Sequence, residues 1–173
     1  MKDKIEKELR QLVGLEFTRT TRAAYMECLK FGILFSTLKD GKEVNIGQFG
    51  LHLQCAWRIT KKNGILVGDL DRYDQPDEFA NYDENFNWDT VSGNLRDVRL
   101  SNILKENKLI VQAVKADNFG GFEILFENNM QLTVFPNLSN KSEYNELWRL
   151  MDNRKNNKRH FVVCVTKYYE TKE

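Results

Sequence analysis

Apolar residues recur along this chain mostly in alternating runs, the period of half-buried strands, with three stretches of helical period between them. Residues 3–12 put Ile5, Leu9 and Leu12 on one face, and Asp3 and Glu6 have capping-box spacing. They predict a short amphipathic helix whose charged face is solvated. A first strand is expected over 13–20. Residues 25–38 and 42–50 flank Asp40-Gly41, a two-residue hairpin signal. That turn pairs Lys39 with Lys42, Thr37 with Val44 and Phe35 with Ile46, and puts Phe31, Ile33, Phe35, Val44 and Ile46 on a core face.

A second hairpin is expected between 51–60 and 65–72 through Asn63-Gly64. Pairing Lys62 with Ile65 sets Trp57 opposite Leu70 and gathers Leu51, Leu53, Cys55, Trp57, Ile59, Leu66 and Leu70 on one apolar face. Residues 94–107 have helical period, with Leu95, Val98, Ile103 and Leu104 as the apolar positions. Strands follow at 108–116, 121–127 and 131–136. Turns fall at 117–121 and 127–130, and Pro136 ends the third strand. A three-residue loop at the second turn aligns Phe126 with Leu132 and Ile124 with Val134. A helix is expected after Asn140, capped through Glu143 and carrying Tyr144, Leu147, Trp148 and Met151, and then a buried strand over 160–168. The fold class is therefore α+β: a single domain over 1–173, with a mainly antiparallel sheet of seven or eight strands and two or three helices.

Composition narrows the function classes. The 26 basic and 25 acidic residues nearly cancel, so there is no basic excess to draw the chain onto a phosphate backbone, and no nucleic-acid partner is expected. The N-terminal residues lack the apolar core of a signal peptide, and no apolar run reaches the roughly 20 residues of a membrane span. A cytoplasmic protein without membrane contact is the expectation. Cys28, Cys55 and Cys164 are far apart in apolar contexts and read as reduced, buried thiols. With His52 and His160 as the only histidines, neither a metal site nor a cofactor is expected.

No motif for nucleophilic, zinc or nucleotide chemistry is present, so no catalytic residues are assigned. Three polar constellations remain. In the expected register of the second hairpin, Arg58 faces Asp69, Ala56 faces Asp71 and Gln54 faces Tyr73, with His52 of the same parity. One face then gathers His52, Gln54, Arg58, Asp69, Asp71 and Tyr73, groups that suit a polar ligand or acid–base work. A wetted sheet face with a cross-strand ion pair is the simpler structural account. Second, the segment 73–93 is too long for a plain connection. It carries six carboxylates, no basic residue, and the aromatics Tyr73, Phe79, Tyr82, Phe86 and Trp88. Rings anchor and carboxylates steer, so Asp74, Asp77, Glu78, Tyr82, Asp83, Phe86 and Trp88 form a candidate contact surface for a basic protein. The alternative is a loop whose rings fold back on the core. Third, Arg154, Lys155, Lys158 and Arg159 form a basic turn, most simply a solvated one.

The stretches LHLQCAWRI (51–59), NFGGFEILFENNMQLTVFPN (118–137) and ELWRL (146–150) resemble a group of small bacterial α+β proteins, over about residues 13–165. That group resembles the immunity proteins of toxin systems. The resemblance implies a protein-binding role against a partner such as a toxin, and it carries over no catalytic residue. A small-molecule site or weak hydrolase on the polar hairpin face is the alternative. A homo-oligomer built through an exposed sheet edge is a third.

Overall fold

The alternating runs are divided between two antiparallel sheets rather than gathered in one. The computed structural model describes residues 1–39, 41–62, 64–140, 145–154 and 159–172. The chain runs α1 (Lys2–Leu9), β1 (Phe17–Ala23), β2 (Met26–Lys39), β3 (Lys42–Leu53), β4 (Trp57–Lys61), β5 (Gly64–Gly68), α2 (Leu95–Glu106), β6 (Val111–Ala116), β7 (Phe122–Phe126), β8 (Met130–Val134), β9 (Glu146–Asp152), β10 (Arg159–Cys164) and β11 (Tyr168–Lys172). One sheet has the order β1-β2-β3-β9-β10-β11, the other β5-β4-β8-β7-β6. The class is α+β with antiparallel pairing. Among the described residues there are eleven strands and two α-helices, which corrects the expectation of a single sheet of seven or eight strands.

The sheets share one apolar core. Phe17 of the first stacks on Phe126 of the second at 6.3 Å, and Trp148 of the first meets the edge of Phe122 at 4.9 Å. The Trp148 indole N–H donates to the carbonyl of Gly120 at 2.7 Å, so this large ring is buried with its polar end satisfied. At one side the sheets are joined through the backbone, where Glu16 bridges Ile110 and the Phe17 N–H donates to Leu109. Helix α1 and the 3-10 turn Arg10–Leu12 bury Ile5, Leu9 and Leu12 completely. The expected capping box is not formed. Met1 holds the N-cap position without a side-chain bond, and Glu6 instead accepts the Ala116 N–H of β6 at 3.1 Å.

The first hairpin has the expected register near its turn, with Phe35 opposite Ile46, Thr37 opposite Val44 and Lys39 opposite Lys42. Asp40 lies outside the described residues. The expected core face does not continue along the strand. A bulge between Phe31 and Leu34 shifts the pairing by one, through Gly32 at φ 76°. A Cβ at that position would also run into the Gln48 side chain, so the bulge suits glycine alone. Phe31 is buried while Ile33 is 72% exposed, and Phe35, Val44 and Ile46 are half-buried.

The second hairpin departs further. Residues 42–53 are one strand of the first sheet, and the chain crosses at 54–56 to start β4 in the second. Lys61 pairs with Gly64, Thr60 with Ile65, Ile59 with Val67 and Arg58 with Gly68, with a bulge between Ile59 and Thr60. The turn comes one residue early, with Lys62 at φ 52°; Asn63 lies outside the described residues. Packing explains the slip: Val67 is fully buried beside Ile59, whereas Leu70, expected opposite Trp57, is 67% exposed in a 3-10 turn, Asp69–Tyr73.

Helix α2 matches expectation, with Asn94 as a true N-cap accepting the Asp97 N–H at 2.9 Å. The β7–β8 connection has three residues, 127–129, with Asn129 at φ 62°. The register is two residues tighter than expected: Ile124 faces Leu132 and Phe122 faces Val134, so the same faces stay buried. The expected helix after Asn140 is corrected. Residues 141–144, including Glu143 and Tyr144, lie outside the described residues, and Glu146–Asp152 is strand β9, paired between β3 and β10. Trp148 and Leu150 alternate into the core with Arg149 on the opposite face, which is strand geometry. The terminal strand is two: β10, followed after a turn by β11. Lys155 and Lys158 lie outside the described residues; Arg154 pairs with Asp152, and Arg159 with Glu8 and Glu170. The three cysteines are free thiols. Among the described residues no helix is long and apolar enough to cross a membrane.

Candidate functional site

The N-terminus of α2 anchors a layered cluster of charges. Arg96 points from the helix into the protein and is fully buried. Its Nε lies 3.3 Å from the Oε2 of Glu27 on β2, and one terminal nitrogen is 3.4 Å from Asp69. Glu27 is buried as well and accepts the Thr20 hydroxyl. Burial outweighs these favourable contacts and pushes the Glu27 carboxyl up to about 7. Asp69 is likewise raised by burial, with Arg72 and Arg96 drawing it back.

This cluster holds down the base of the 73–93 loop. Arg22 on β1 donates to Asp97 at 2.9 Å, to Asp89 at 2.7 Å and to the Thr90 carbonyl at 2.7 Å. Arg99 bridges Asp71 and Glu78, and the Asn94 amide donates to the Trp88 carbonyl at 2.8 Å. Trp88 is half-buried with its ring edge on Tyr73, and Phe86 is half-buried too. The tip is ordered from within: Gln75 donates to the carbonyls of Asp77, Ala80 and Asn81 and accepts the Asp83 N–H.

The expected contact residues of the loop therefore separate. Asp74, Asp77, Asp83 and Glu84 remain exposed and have no cationic partner among the described residues, while Glu78 is tied to Arg99. Phe79 is 91% exposed and Tyr82 76%. Phe86 and Trp88 belong to the base.

The expected polar hairpin face is divided. His52 lies on β3 in the first sheet, opposite Cys28 and Arg149. Tyr73 turns to Trp88 and Arg72. Arg58 faces Gly68 instead of Asp69. Yet Gln54, Arg58, Asp69 and Asp71 do line one cleft of about 520 Å³, between the 54–56 crossover, β5 and the 3-10 turn. Cys55 lines it too. It is half-buried and packed against the core, and burial together with the Asp69 charge pushes its thiol up to about 12, which makes it a poor nucleophile.

Arg22, Glu27 and Arg96 were not among the residues the sequence singled out. The one local signal was Asn94 as an N-cap, which aims the first turn of α2; nothing local places Glu27 against Arg96 across 69 positions. Comparison with protein-family models, curated proteins and solved structures finds no match.

Proposed function

We propose that this is a cytoplasmic protein-binding domain of the immunity type, without catalytic activity, which occludes a basic surface on a partner such as a toxin. One observation carries the reading: Phe79 and Tyr82 stand out from an internally braced loop, beside the carboxylates of Asp74, Asp77, Asp83 and Glu84. Exposed rings on an ordered scaffold cost little entropy to dock, and carboxylates without a cation of their own among the described residues steer a basic partner into place. The resemblance of residues 51–59, 118–137 and 146–150 to the immunity-like group supports the same role.

The test uses the purified product of a toxin gene adjacent to this one, titrated calorimetrically with the wild-type chain. Asp77→Lys with Asp83→Lys, and separately Phe79→Ala, should each weaken binding strongly while leaving the melting temperature in place. A partner that binds both variants as tightly as wild type overturns the reading.

A further inference from the structure

The cleft beside the 54–56 crossover is lined by no residue of the 73–93 loop, so it stands apart from the proposed partner surface. Its volume of about 520 Å³ is in the range of small-molecule sites. Four large apolar side chains, Tyr25, Ile65, Leu70 and Phe135, surround it and are all exposed. Scattered singly they would need no explanation, but gathered around one concavity they form an apolar wall open to a ligand.

The polar lining is unbalanced in one direction. Its carboxylates are engaged: Asp69 holds Arg72 and Arg96, and Asp71 accepts the Gly68 N–H at 3.0 Å and Arg99 at 3.1 Å. The indole N–H of Trp57 and the Nε–H of Arg72 are sealed beneath the cleft without an acceptor among the described residues, out of a ligand's reach, so the accessible positive charge is that of Arg58. Arg58 has no carboxylate partner among the described residues and lies over the Phe135 ring at 5.5 Å. It is the one lining charge that the surrounding described side chains leave uncompensated.

We infer that this cleft binds a small organic carboxylate with an apolar, ring-sized body, its carboxylate taken by Arg58 and its body lying against Phe135, Leu70 and Ile65. The uncompensated cationic head of Arg58 calls for negative charge from the ligand. The same charge disfavours an amine of equal size.

The experiment titrates the full chain with phenylacetate, phenylacetamide and phenethylamine, read by calorimetry and by tryptophan fluorescence. Phenylacetate should bind saturably, phenylacetamide more weakly, and phenethylamine not at all. Arg58→Ala should weaken phenylacetate about tenfold, and Arg58→Lys should recover part of the loss, because a charge-assisted hydrogen bond is roughly twice as strong as a neutral one. Arg58 is exposed at the rim, so both variants should melt as wild type. The Asp77→Lys, Asp83→Lys chain should bind phenylacetate unchanged, which separates this site from the loop. Equal binding of the amine and the carboxylate, or an unchanged affinity in Arg58→Ala, overturns the inference. So does the absence of saturable binding across phenyl, indolyl and branched-chain carboxylates.

Discussion

The base and the tip of the 73–93 segment carry the same residue types and put them to opposite uses. At the base, carboxylates meet guanidinium groups inside the protein: Arg22 with Asp97, and Arg96 with Glu27 and Asp69. At the tip, Asp74, Asp77, Asp83 and Glu84 face solvent without a cation among the described residues. Charges without water stabilise a conformation only as complete sets, because each ion removed leaves another stranded. Charges in water contribute little to folding and stay available to a partner. One loop is thus fixed at one end and open to solvent at the other.

Breaking the base should have the largest effect. Arg96→Ala strands Glu27, takes one of two cations from Asp69, and should cost about 3–5 kcal/mol in urea unfolding. Replacing the pair together, Arg96→Met with Glu27→Leu, should recover much of that loss; a double variant as unstable as Arg96→Ala would show that the cluster is not acting as a charge set.

The pH dependence follows from Glu27. Its carboxyl is raised to about 7 in the folded protein from an ordinary 4.5, so the folded state holds a proton that the unfolded chain releases. The resulting stability is fully present below about 4.5 and is lost as pH rises through about 7. The loss is on the order of 3 kcal/mol, and Glu27→Gln should flatten that part of the stability curve. Glu170 runs the other way. Arg159 and Lys4 hold it down to about 2, so its contribution is steady from pH 4.5 upward and is lost only in stronger acid.

Asn94→Ala removes both the cap of α2 and the bond to Trp88, and should lower stability by about 1–2 kcal/mol. It should also raise amide exchange through residues 86–93. At the tip, Asp77→Lys with Asp83→Lys should change stability by no more than about 0.5 kcal/mol, measured by thermal melting, while removing partner binding. A large fall in stability there would erase the contrast between base and tip.

Much of the local structure was legible. Asp40-Gly41 located a turn whose flanking strands pair as expected beside it, and the apolar period of residues 94–107 located α2, because hairpin turns and helical period are set within a few residues. Asn63-Gly64 misled by one residue, since the depth at which Val67 packs beside Ile59 outweighed the turn preference. Residues 146–152 misled because apolar residues at 147, 148, 150 and 151 satisfy either period, and only a slot between β3 and β10 makes them a strand. Of the candidate site, Gln54, Arg58, Asp69 and Asp71 do meet at one cleft, through the 3-10 turn instead of the expected ladder. His52 does not join them, because the chain changes sheets at 54–56.

By itself, the sequence determined the class, the antiparallel habit, most element positions and the acidic, aromatic character of one long loop. These are properties of period, turn chemistry and composition, all written within a dozen residues. Only the tertiary structure decided which sheet each strand entered, which registers slipped, and which charges lost their water. Those choices depend on contacts between distant segments, as Glu27 meets Arg96, and no local pattern encodes the burial that gives such a pair its energy.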